Sequence, residues 1–346
     1  MFDVRDGRFN AWGKAPGDIA RILGERFGCR VVQVPNRLPS CGASLFRRIW
    51  TRLVWETTRL RFFLRLPRRD FVVLQGHFVF FYRFMGYTFL RRILRLKKCR
   101  FCIVVHDLPG HLTGDDFSEY ALPSGFVELS ERSDGVIVHN PSMLEWFAQR
   151  GVDREKLVPL GLFDYLCTAR REPVAFSRDV IYAGNISPDK SPFLLQLGEI
   201  SSVRWLLYGT PSPMYPGAQY MGSFPPDELP SHLKGGFGLV WDGDSVDTCS
   251  GGTGEYLLYN NPHKMSLYLA SDLPVITWRK AATAPFVEAN GVGILVDSLR
   301  ELPGVLASID EARYAELAAN AAKMGAKLRS GFHTLKAVEH CLAARA

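Results

Sequence analysis

The sequence has no apolar stretch long enough to cross a membrane. A spanning helix needs about 18 or more consecutive apolar residues, and charged side chains interrupt every apolar run before that length. No apolar segment follows Met1, so a secretory signal peptide is not expected either. These absences argue against an integral membrane protein and against export through a signal peptide.

Cysteine is scarce and scattered. There are 7 cysteines in 346 residues, and Cys99 and Cys102 are the only close pair. A structural zinc site of this kind needs a second pair, which the sequence lacks. A redox role stays open for the pair, but ordinary reduced core thiols are the simpler interpretation, and they suit the cytosol. We therefore expect a cytoplasmic protein.

Acidic residues are almost missing between positions 47 and 100. This stretch carries fifteen Arg or Lys against two acids, for a net charge of +13, while the rest of the chain carries −6. Residues 44–66 and 78–97 within it indicate two long helices rich in aromatic residues. A basic, aromatic surface suits an anionic membrane, whereas no nucleic-acid-binding motif accompanies the charge. We predict peripheral association with the inner face of the cell membrane and no nucleic-acid partner. Two ordinary amphipathic helices with solvated arginines are the alternative.

A helix start followed by a strand occupies residues 255–278. Asn261 is a good N-cap and the proline after it suits the first helical position, so a helix of about ten residues is predicted. The apolar run 273–276 then indicates a short buried strand. His263 and Lys264 fall in the first helical turn. A cation there opposes the helix dipole unless an anion binds at that end, so the pattern predicts a phosphate site. A solvated lysine on a surface helix is the alternative.

Residues 260–276 read Asn-Asn-Pro-His-Lys-x-Ser-x-Tyr-Leu-Ala-x-x-Leu-Pro-Val-Ile. This stretch resembles the donor-site segment of a bacterial family of GT-B glycosyltransferases, which includes β-1,6-galactofuranosyltransferases and glucosyltransferases that extend sugars on adhesins. The resemblance implies an α/β protein with the GT-B fold, in which two Rossmann-like domains face a cleft. It also implies transfer of a hexosyl group, galactofuranose or glucose, from a UDP-sugar to a glycan or lipid-linked glycan acceptor in surface polysaccharide or glycoprotein synthesis.

The resemblance also assigns roles to individual residues. In that family the matching Asn and Lys lie against the diphosphate of the nucleotide sugar, which assigns this role to Asn261 and Lys264. His263 and Ser266 lie close by in the same motif, and Tyr259 is assigned to the donor site with them. Three further loops resemble cleft or donor-side loops of GT-B enzymes, and their residues are Gly13 and Lys14, Gly184 and Asn185, and Tyr208 and Gly209. The last pair stands where such enzymes often hold the nucleotide base.

A His-Asp pair follows one of the predicted central strands. The apolar run 101–105 ends directly in His106 and Asp107. Ligand crevices of open α/β sheets lie at the carboxyl ends of the strands, so this pair could supply a general base. In the alternative interpretation, Asp107 caps a turn and His106 bonds to backbone.

Asp242 and Asp244 follow an apolar strand, as the metal-binding acids of GT-A glycosyltransferases do. Two carboxylates there could share a divalent ion bridged to a diphosphate. The signature is only two residues long, and the helix start downstream already supplies positive charge. We therefore favour an acidic cleft wall that positions sugar hydroxyls, and expect no metal or other cofactor. A metal-dependent GT-A transferase is the alternative.

Two glutamates carried by many retaining GT-B enzymes are missing. Aligning the Leu-Pro-Val segment places Tyr259 and Leu267 at their positions. The resemblance therefore leaves the stereochemical outcome open. A catalytically silent nucleotide-sugar-binding partner of another transferase remains a further alternative.

The length suits two domains. Residues 1–165 are assigned to an acceptor-side Rossmann-like domain, with early strands expected at 1–5 and 31–34, and residues 166–325 to a nucleotide-sugar-binding one. Residues 326–346 are predicted to form a helix that crosses back onto the first domain. A homo-oligomer is left open.

Overall fold

The computed structural model describes residues 13–31, 45–76, 86–108, 121–168, 176–210 and 214–344. The strand expected at 1–5, most of the one at 31–34 and the first part of the helix predicted at 78–97 lie outside these ranges. Within them, no helix combines the length and the apolar character that crossing a membrane requires.

The first half of the chain folds around a four-stranded parallel sheet in the order β1-β2-β3-β4. Its strands are β1 (Phe71–Gly76), β2 (Arg100–Val105), β3 (Gly135–Val138) and β4 (Leu157–Pro159). Its helices are α1 (Lys14–Phe27), α2 (Leu45–Arg65), α3 (Tyr87–Lys97), α4 (Ser124–Glu131) and α5 (Pro141–Ala148). Strands β2 and β3 are almost entirely buried, as expected of parallel strands covered on both faces.

The second half forms a six-stranded parallel sheet in the order β10-β9-β8-β5-β6-β7. Its strands are β5 (Val180–Gly184), β6 (Trp205–Gly209), β7 (Ala218–Gly222), β8 (Phe237–Val240), β9 (Val275–Trp278) and β10 (Gly293–Val296). Its helices are α6 (Leu229–His232), α7 (Gly251–Glu255), α8 (His263–Ala270), α9 (Ala284–Asn290), α10 (Leu302–Ser308) and α11 (Glu311–Arg329), and the chain ends in α12 (Phe332–Ala343). Within the described ranges, 3₁₀ segments cover Arg154–Lys156, Pro192–Glu199, Tyr256–Leu258 and Leu299–Glu301.

Helix α12 lies against α1 and against strands β3 and β4 of the first sheet. Its first turn is held by Asp164, whose carboxylate accepts hydrogen bonds from the backbone N–H groups of His333 and Thr334. Burial raises the pKa of Asp164 to about 6, so holding this charged cap inside the protein costs free energy. The connection between the two sheets is thereby anchored on the C-terminal helix.

Candidate functional site

The carboxyl ends of β5, β6 and β8 meet the start of α8. Gly184 and Gly209 are register partners at the ends of β5 and β6. Gly209 has a φ of +148°, and a Cβ on it would lie 1.9 Å from the Gly184 carbonyl oxygen, so only glycine fits there. A Cβ on Gly184 would lie 3.6 Å from Cε of Lys264. Because ligand crevices of α/β sheets open at the carboxyl ends of the strands, this is the candidate donor site.

Lys264 is bound on all sides by its own domain. Its Nζ donates to both carboxylate oxygens of Asp242 at 2.8 Å, and to the Trp241 carbonyl oxygen and the Tyr182 hydroxyl at 3.0 Å. Burial by itself would lower the pKa of Lys264, but the negative charge of Asp242 and the Tyr182 hydroxyl raise it above its ordinary value. The ion pair is only 16% exposed on either side chain, so both charges are retained inside the protein.

This ion pair gives Lys264 a charge partner inside the protein, and its assignment to the diphosphate of the donor stays a prediction. An ammonium has three N–H groups, and four oxygens already surround the Lys264 ammonium. The anion that the helix start called for is therefore supplied by Asp242. The backbone N–H groups of His263 and Lys264, at the first two positions of the eight-residue helix α8, have no intrahelical acceptors and remain suited to an anion.

The acidic loop has a structural task at this site. The Asp242 carboxylate forms the ion pair with Lys264. Asp244 is held through its backbone, because its N–H donates to the Ser250 carbonyl oxygen and its carbonyl oxygen accepts from the Gln196 side chain. Among the described residues, no group of three His, Cys, Asp or Glu side chains is placed to hold a metal ion. The geometry therefore makes Asp242 a charge partner within the cleft wall.

Asn261 connects the start of α8 to the first domain instead of capping that helix. Its Nδ2 donates to the carbonyl oxygens of His139 and Gly161, each at 2.7 Å, and its Oδ1 accepts from Nδ2 of Asn140 at 2.7 Å. The N-cap residue of α8 is Pro262, and no side chain caps it. The predicted N-cap is thus wrong, because partners across the domain junction occupy the Asn261 amide. The side chain is held by protein groups and lies 4% exposed.

His139 completes this junction. Its Nδ1 accepts the Asn261 backbone N–H at 3.0 Å, which requires the proton to sit on Nε2, and that nitrogen donates to the Val105 carbonyl oxygen at 3.2 Å. Burial lowers the pKa of His139 to about 4, although the charge of nearby Asp107 opposes the shift. The ring of His263 lies 5.2 Å from that of Tyr165. Burial and the charge of Lys14 lower the pKa of His263 further, to about 3. Both imidazoles are neutral at pH 7.

These buried histidines predict a loss of stability in mild acid. Their folded pKa values lie below the unfolded value of 6.5, so the unfolded chain binds more protons as the pH falls from 6.5 towards 4, and the free energy of unfolding falls with it. Asp164, with a raised pKa, opposes this effect, but His333, with a pKa lowered by burial to about 4, adds to it.

Denaturant titrations between pH 7 and 5 measure the predicted slope. His263→Phe should make the free energy of unfolding less dependent on pH, with the difference in bound protons between the unfolded and folded states reduced by close to one near pH 5. The reason is that Nε2 of His263 is buried without a hydrogen-bond partner in the described structure. His340, exposed near the C-terminus, supplies the matched control His340→Gln, in which an imidazole is removed from the surface. An unaltered slope in His263→Phe would contradict the buried neutral state.

Lys14 lies at the domain junction, not free in the cleft. Its Nζ donates to Asp18 at 2.9 Å, to the Leu166 carbonyl oxygen and to Asp227 of the second domain, and it stands 4.6 Å from the centre of the Tyr165 ring. These three acceptors match its three N–H groups. Lys14 therefore joins the two domains in this conformation, and its assignment to the donor site stays a prediction. Gly13 is the N-cap residue of α1.

His106 and Asp107 stand at the end of β2, as predicted. His106 lies against the Phe163 ring, 5.6 Å between centres, and its Nε2 is 3.1 Å from Oε1 of Gln75. Asp107 accepts a hydrogen bond of 3.3 Å from the hydroxyl of Tyr256, which reaches across from the second half of the chain. The same hydroxyl accepts from the Leu108 N–H at 3.0 Å. Tyr256 thus holds this loop, and the Asp107 carboxylate is only half-buried.

The remaining predicted residues are divided between cleft and core. The side chain of Tyr208 is 1% exposed, and its hydroxyl donates to the His232 carbonyl oxygen and accepts from the Lys234 N–H, so it is a core group. The assignment of Tyr208 and Gly209 to the nucleotide base stays a prediction. Asn185 is exposed beside Gly184 and accepts from the Ser187 N–H. Two other predicted residues have different surroundings. Ser266 is buried within α8. Tyr259 packs against the hydrophobic core of the first domain, and its carbonyl oxygen accepts from the Asn140 side chain.

The sequence interpretation missed His139, Asn140, Tyr256 and Asp227 as junction residues. A signal was present for the first two, because they form a polar pair directly after the apolar strand β3, as His106 and Asp107 do after β2. Asn140 also caps α5, because its Oδ1 accepts the Met143 N–H. Tyr256 and Asp227 carried no local signal, since their partners lie more than a hundred residues away.

Two profiles of one protein family match consecutive parts of the chain. The N-terminal domain of glucosyltransferase 3-like proteins matches residues 5–162, and the C-terminal domain matches residues 180–341. The β-1,6-galactofuranosyltransferase WbbI of Escherichia coli (strain K12) is 31% identical over 347 residues, covering 98% of this chain and 97% of its own. Glucosyltransferase 3 of Streptococcus gordonii is 24% identical over 244 residues, or 70% of this chain and 71% of its own.

Solved structures agree on the architecture. HepE of Anabaena, solved with UDP and glucose, superposes with a TM-score of 0.53 at 13% identity, over 93% of this chain and 89% of its own. Sucrose-phosphate synthase of Thermosynechococcus elongatus gives 0.55 at 13% identity, over 90% and 82%. At such identities the likeness concerns the fold, and it confirms the predicted GT-B architecture. Because both family domains match in sequence order across most of its length, the chain belongs to the glucosyltransferase 3-like family of glycosyltransferases.

Proposed function

We propose that this protein transfers a hexosyl group, galactofuranose or glucose, from a UDP-sugar to a glycan acceptor in the synthesis of a bacterial surface polysaccharide or glycoprotein. The observation that carries the proposal is the 31% identity with a β-1,6-galactofuranosyltransferase over 98% of the chain. The candidate donor site adds local support, because a helix start and two glycine-ended strands converge where a diphosphate could bind.

The donor diphosphate would be held by the start of α8. The backbone N–H groups of His263 and Lys264 would donate to it, and Gly184 lets a ligand come close to the end of β5. The Lys264 ammonium stands beside this position and would stabilise charge that develops on the leaving UDP. Asp242 has lone pairs beyond those used by Lys264 and could accept from sugar hydroxyls. We propose that this arrangement works without a metal ion.

The acceptor would enter from the side of β2. Its hydroxyl oxygen would form a bond to the anomeric carbon, while the bond between that carbon and the diphosphate breaks and UDP leaves with the electron pair. Asp107 would take the proton of the hydroxyl, since its half-buried carboxylate is oriented by the Tyr256 hydroxyl. His106, held between Phe163 and Gln75, would wall this side of the cleft.

The acceptor chemistry also bears on location. Growing surface glycans are commonly carried on membrane lipids, and residues 47–100 concentrate a net charge of +13 in the first half of the chain. We therefore propose a cytoplasmic protein that works peripherally at the inner face of the cell membrane, where anionic lipids attract basic surfaces.

A panel of UDP-sugars tests the activity. Purified protein should bind UDP and should slowly hydrolyse UDP-galactofuranose or UDP-glucose, and EDTA should leave that turnover intact. Asp107→Asn keeps the shape and the acceptor for Tyr256, so it should retain UDP affinity while losing about 10²–10⁴-fold in transfer rate.

The alternatives give different results in the same panel. UDP binding without turnover of any sugar nucleotide would identify a catalytically silent partner of another transferase. Turnover abolished by EDTA and restored by Mn²⁺ or Mg²⁺ would contradict metal-free transfer and favour a metal-dependent mechanism. Transfer unaffected by Asp107→Asn would remove that residue from the proton-transfer step.

A further inference from the structure

Helix α2 exposes a row of large apolar side chains to solvent. Ile49, Trp50, Leu53, Leu60 and Leu64 are each between 55% and 67% exposed. Single exposed leucines are ordinary on protein surfaces, but five large apolar residues on one helix form a patch that calls for a partner. We call these five residues the α2 stripe.

The α2 stripe is separate from the face that holds the helix on its domain. At about 100° per residue, Ile49, Leu53, Leu60 and Leu64 fall within about 60° of one another, and Trp50 stands beside them. Phe62 points the other way, about 170° from the centre of the stripe, and is buried in the core of the first domain. The inner face therefore explains how α2 is folded, and the core does not account for the stripe.

Exposed cations accompany the α2 stripe on the same helix, in the turn after it and on the next helix. Helix α3 packs beside α2, since Nζ of Lys97 lies 4.5 Å from the centre of the Phe63 ring. The exposed basic residues of this helix pair and of the residues that follow each helix are Arg61, Arg65, Arg68, Arg69, Arg92, Arg95 and Lys98. Leu96 on α3 is also a highly exposed apolar residue, at 71%. The described residues between 47 and 100 include two acids, Glu56 and Asp70.

We infer that the α2 stripe is the docking surface for an anionic membrane, with its apolar side chains in the lipid interface and the exposed cations of α2 and α3 on the headgroups. An apolar row bordered by Arg and Lys is the arrangement by which a helix lies in a bilayer interface. A second copy of the chain is a poorer occupant, because pairing this face with itself would bring two cationic rims together. Nucleic acid would satisfy the cations but not the apolar row.

The inference rests on the proposed peripheral location and not on the transfer reaction. It adds that binding has an apolar component, which salt does not screen, beside the electrostatic one, which it does. Because α2 leads into β1, docking through the stripe would hold the acceptor-side domain next to acceptors carried on lipid.

Sedimentation with vesicles tests the docking surface. The parent protein should bind vesicles of phosphatidylglycerol and phosphatidylcholine, bind phosphatidylcholine alone at least tenfold less, and keep a measurable bound fraction in high salt. The variant Leu53→Ser, Leu60→Ser, Leu64→Ser should lose the salt-resistant fraction and bind at least tenfold less at low salt. The variant Arg61→Gln, Arg65→Gln, Arg92→Gln, Arg95→Gln should lose the salt-sensitive part.

Controls separate folding from docking. Leu195→Ser removes an equally exposed leucine of the second domain and should bind vesicles like the parent, and all variants should keep parental UDP affinity. Trp50 should give a blue-shifted emission on vesicle binding, seen as the difference between the parent and Trp50→Phe, because the protein has 7 tryptophans.

Each contrary outcome has a distinct meaning. Parent protein that stays in the supernatant with anionic vesicles at low salt would overturn both the peripheral location and the docking surface. Parent protein that binds, with the leucine variant binding equally, would keep the location and overturn the stripe. A parent that is dimeric by analytical ultracentrifugation, together with a monomeric leucine variant that still binds vesicles, would assign the stripe to self-association.

Discussion

Replacing Lys264 by methionine is expected to lower the free energy of unfolding by about 3–5 kcal/mol, the cost of leaving one member of a buried ion pair without its partner. Methionine fills most of the lysine volume, so the loss reports charge and not a cavity. Asp242, the Trp241 carbonyl oxygen and the Tyr182 hydroxyl would all lose the Nζ donor. Equilibrium denaturation by guanidinium, followed by circular dichroism, measures the change.

Two matched variants define the cause. Lys280 is exposed in the same domain, and Lys280→Met should alter stability by no more than about 0.5 kcal/mol. The double variant Lys264→Met, Asp242→Leu removes both charges and should recover much of the loss, since an apolar pair of similar volume often replaces a buried ion pair without cost. A single variant as stable as the parent would mean that water solvates Asp242 freely at this site.

The same Lys264→Met variant tests the donor site when it is assayed under conditions where it remains folded. UDP affinity should fall by about 1.5–3 kcal/mol, the range for hydrogen bonds to charged groups. The reason is that Lys264 is the cation beside the start of α8, and a bound diphosphate would share it with Asp242. Calorimetry that finds parental UDP affinity in folded protein would leave the helix start alone as the phosphate site.

Asn261→Asp is expected to destabilise the protein by about 2–6 kcal/mol, because two buried carbonyl oxygens lose their donors at about 1–3 kcal/mol each. The substitution keeps the size of the side chain but points a carboxylate at the carbonyl oxygens of His139 and Gly161. Asn140, whose Nδ2 donates to Asn261, keeps an acceptor. The loss of stability therefore reports on the two hydrogen bonds that Asn261 donates from the start of α8 to the first domain.

Limited proteolysis and equilibrium denaturation together measure how far the Asn261 hydrogen bonds stabilise the domain junction. Asn290 is exposed at the end of α9, so Asn290→Asp is the control and should change the free energy of unfolding by no more than about 0.5 kcal/mol. Asn261→Asp should unfold at lower denaturant and be cleaved faster in the connection around residues 161–168. Equal stability of the two variants would show that the Asn261 bonds contribute little to holding the domains together.

Local structure around the donor site followed from local pattern. The first turn of α8 does contain His263 and Lys264, and the next apolar run does enter a strand, β9. These elements depend on neighbours within a few residues: a proline before the helix and β-branched residues in the strand. The helix has eight residues, where about ten were expected. The GT-B class likewise followed from a resemblance spread over both halves of the chain.

The roles of the polar side chains could not be obtained in the same way. Asn261 satisfies every local rule for an N-cap, yet groups about a hundred residues away bind its amide. Lys264 and Lys14 look equally free in the sequence, but each is surrounded by oxygens that the fold assembles from separate segments. A buried polar group must find a partner wherever the fold provides one, and local spacing contains no information about that place.

The sequence by itself therefore determined which elements form, which class of fold they build, and that a basic region with few acids lies in the first half. Only the tertiary structure decided that Asp242 neutralises Lys264, that Asn261 and His139 join the two domains, and that the apolar stripe of α2 faces solvent. The physical reason is the distance along the chain over which each property is determined. Backbone conformation and hydrophobic periodicity are set within one or two turns of chain, whereas charge pairing and exposure depend on what the completed fold brings within a few ångströms.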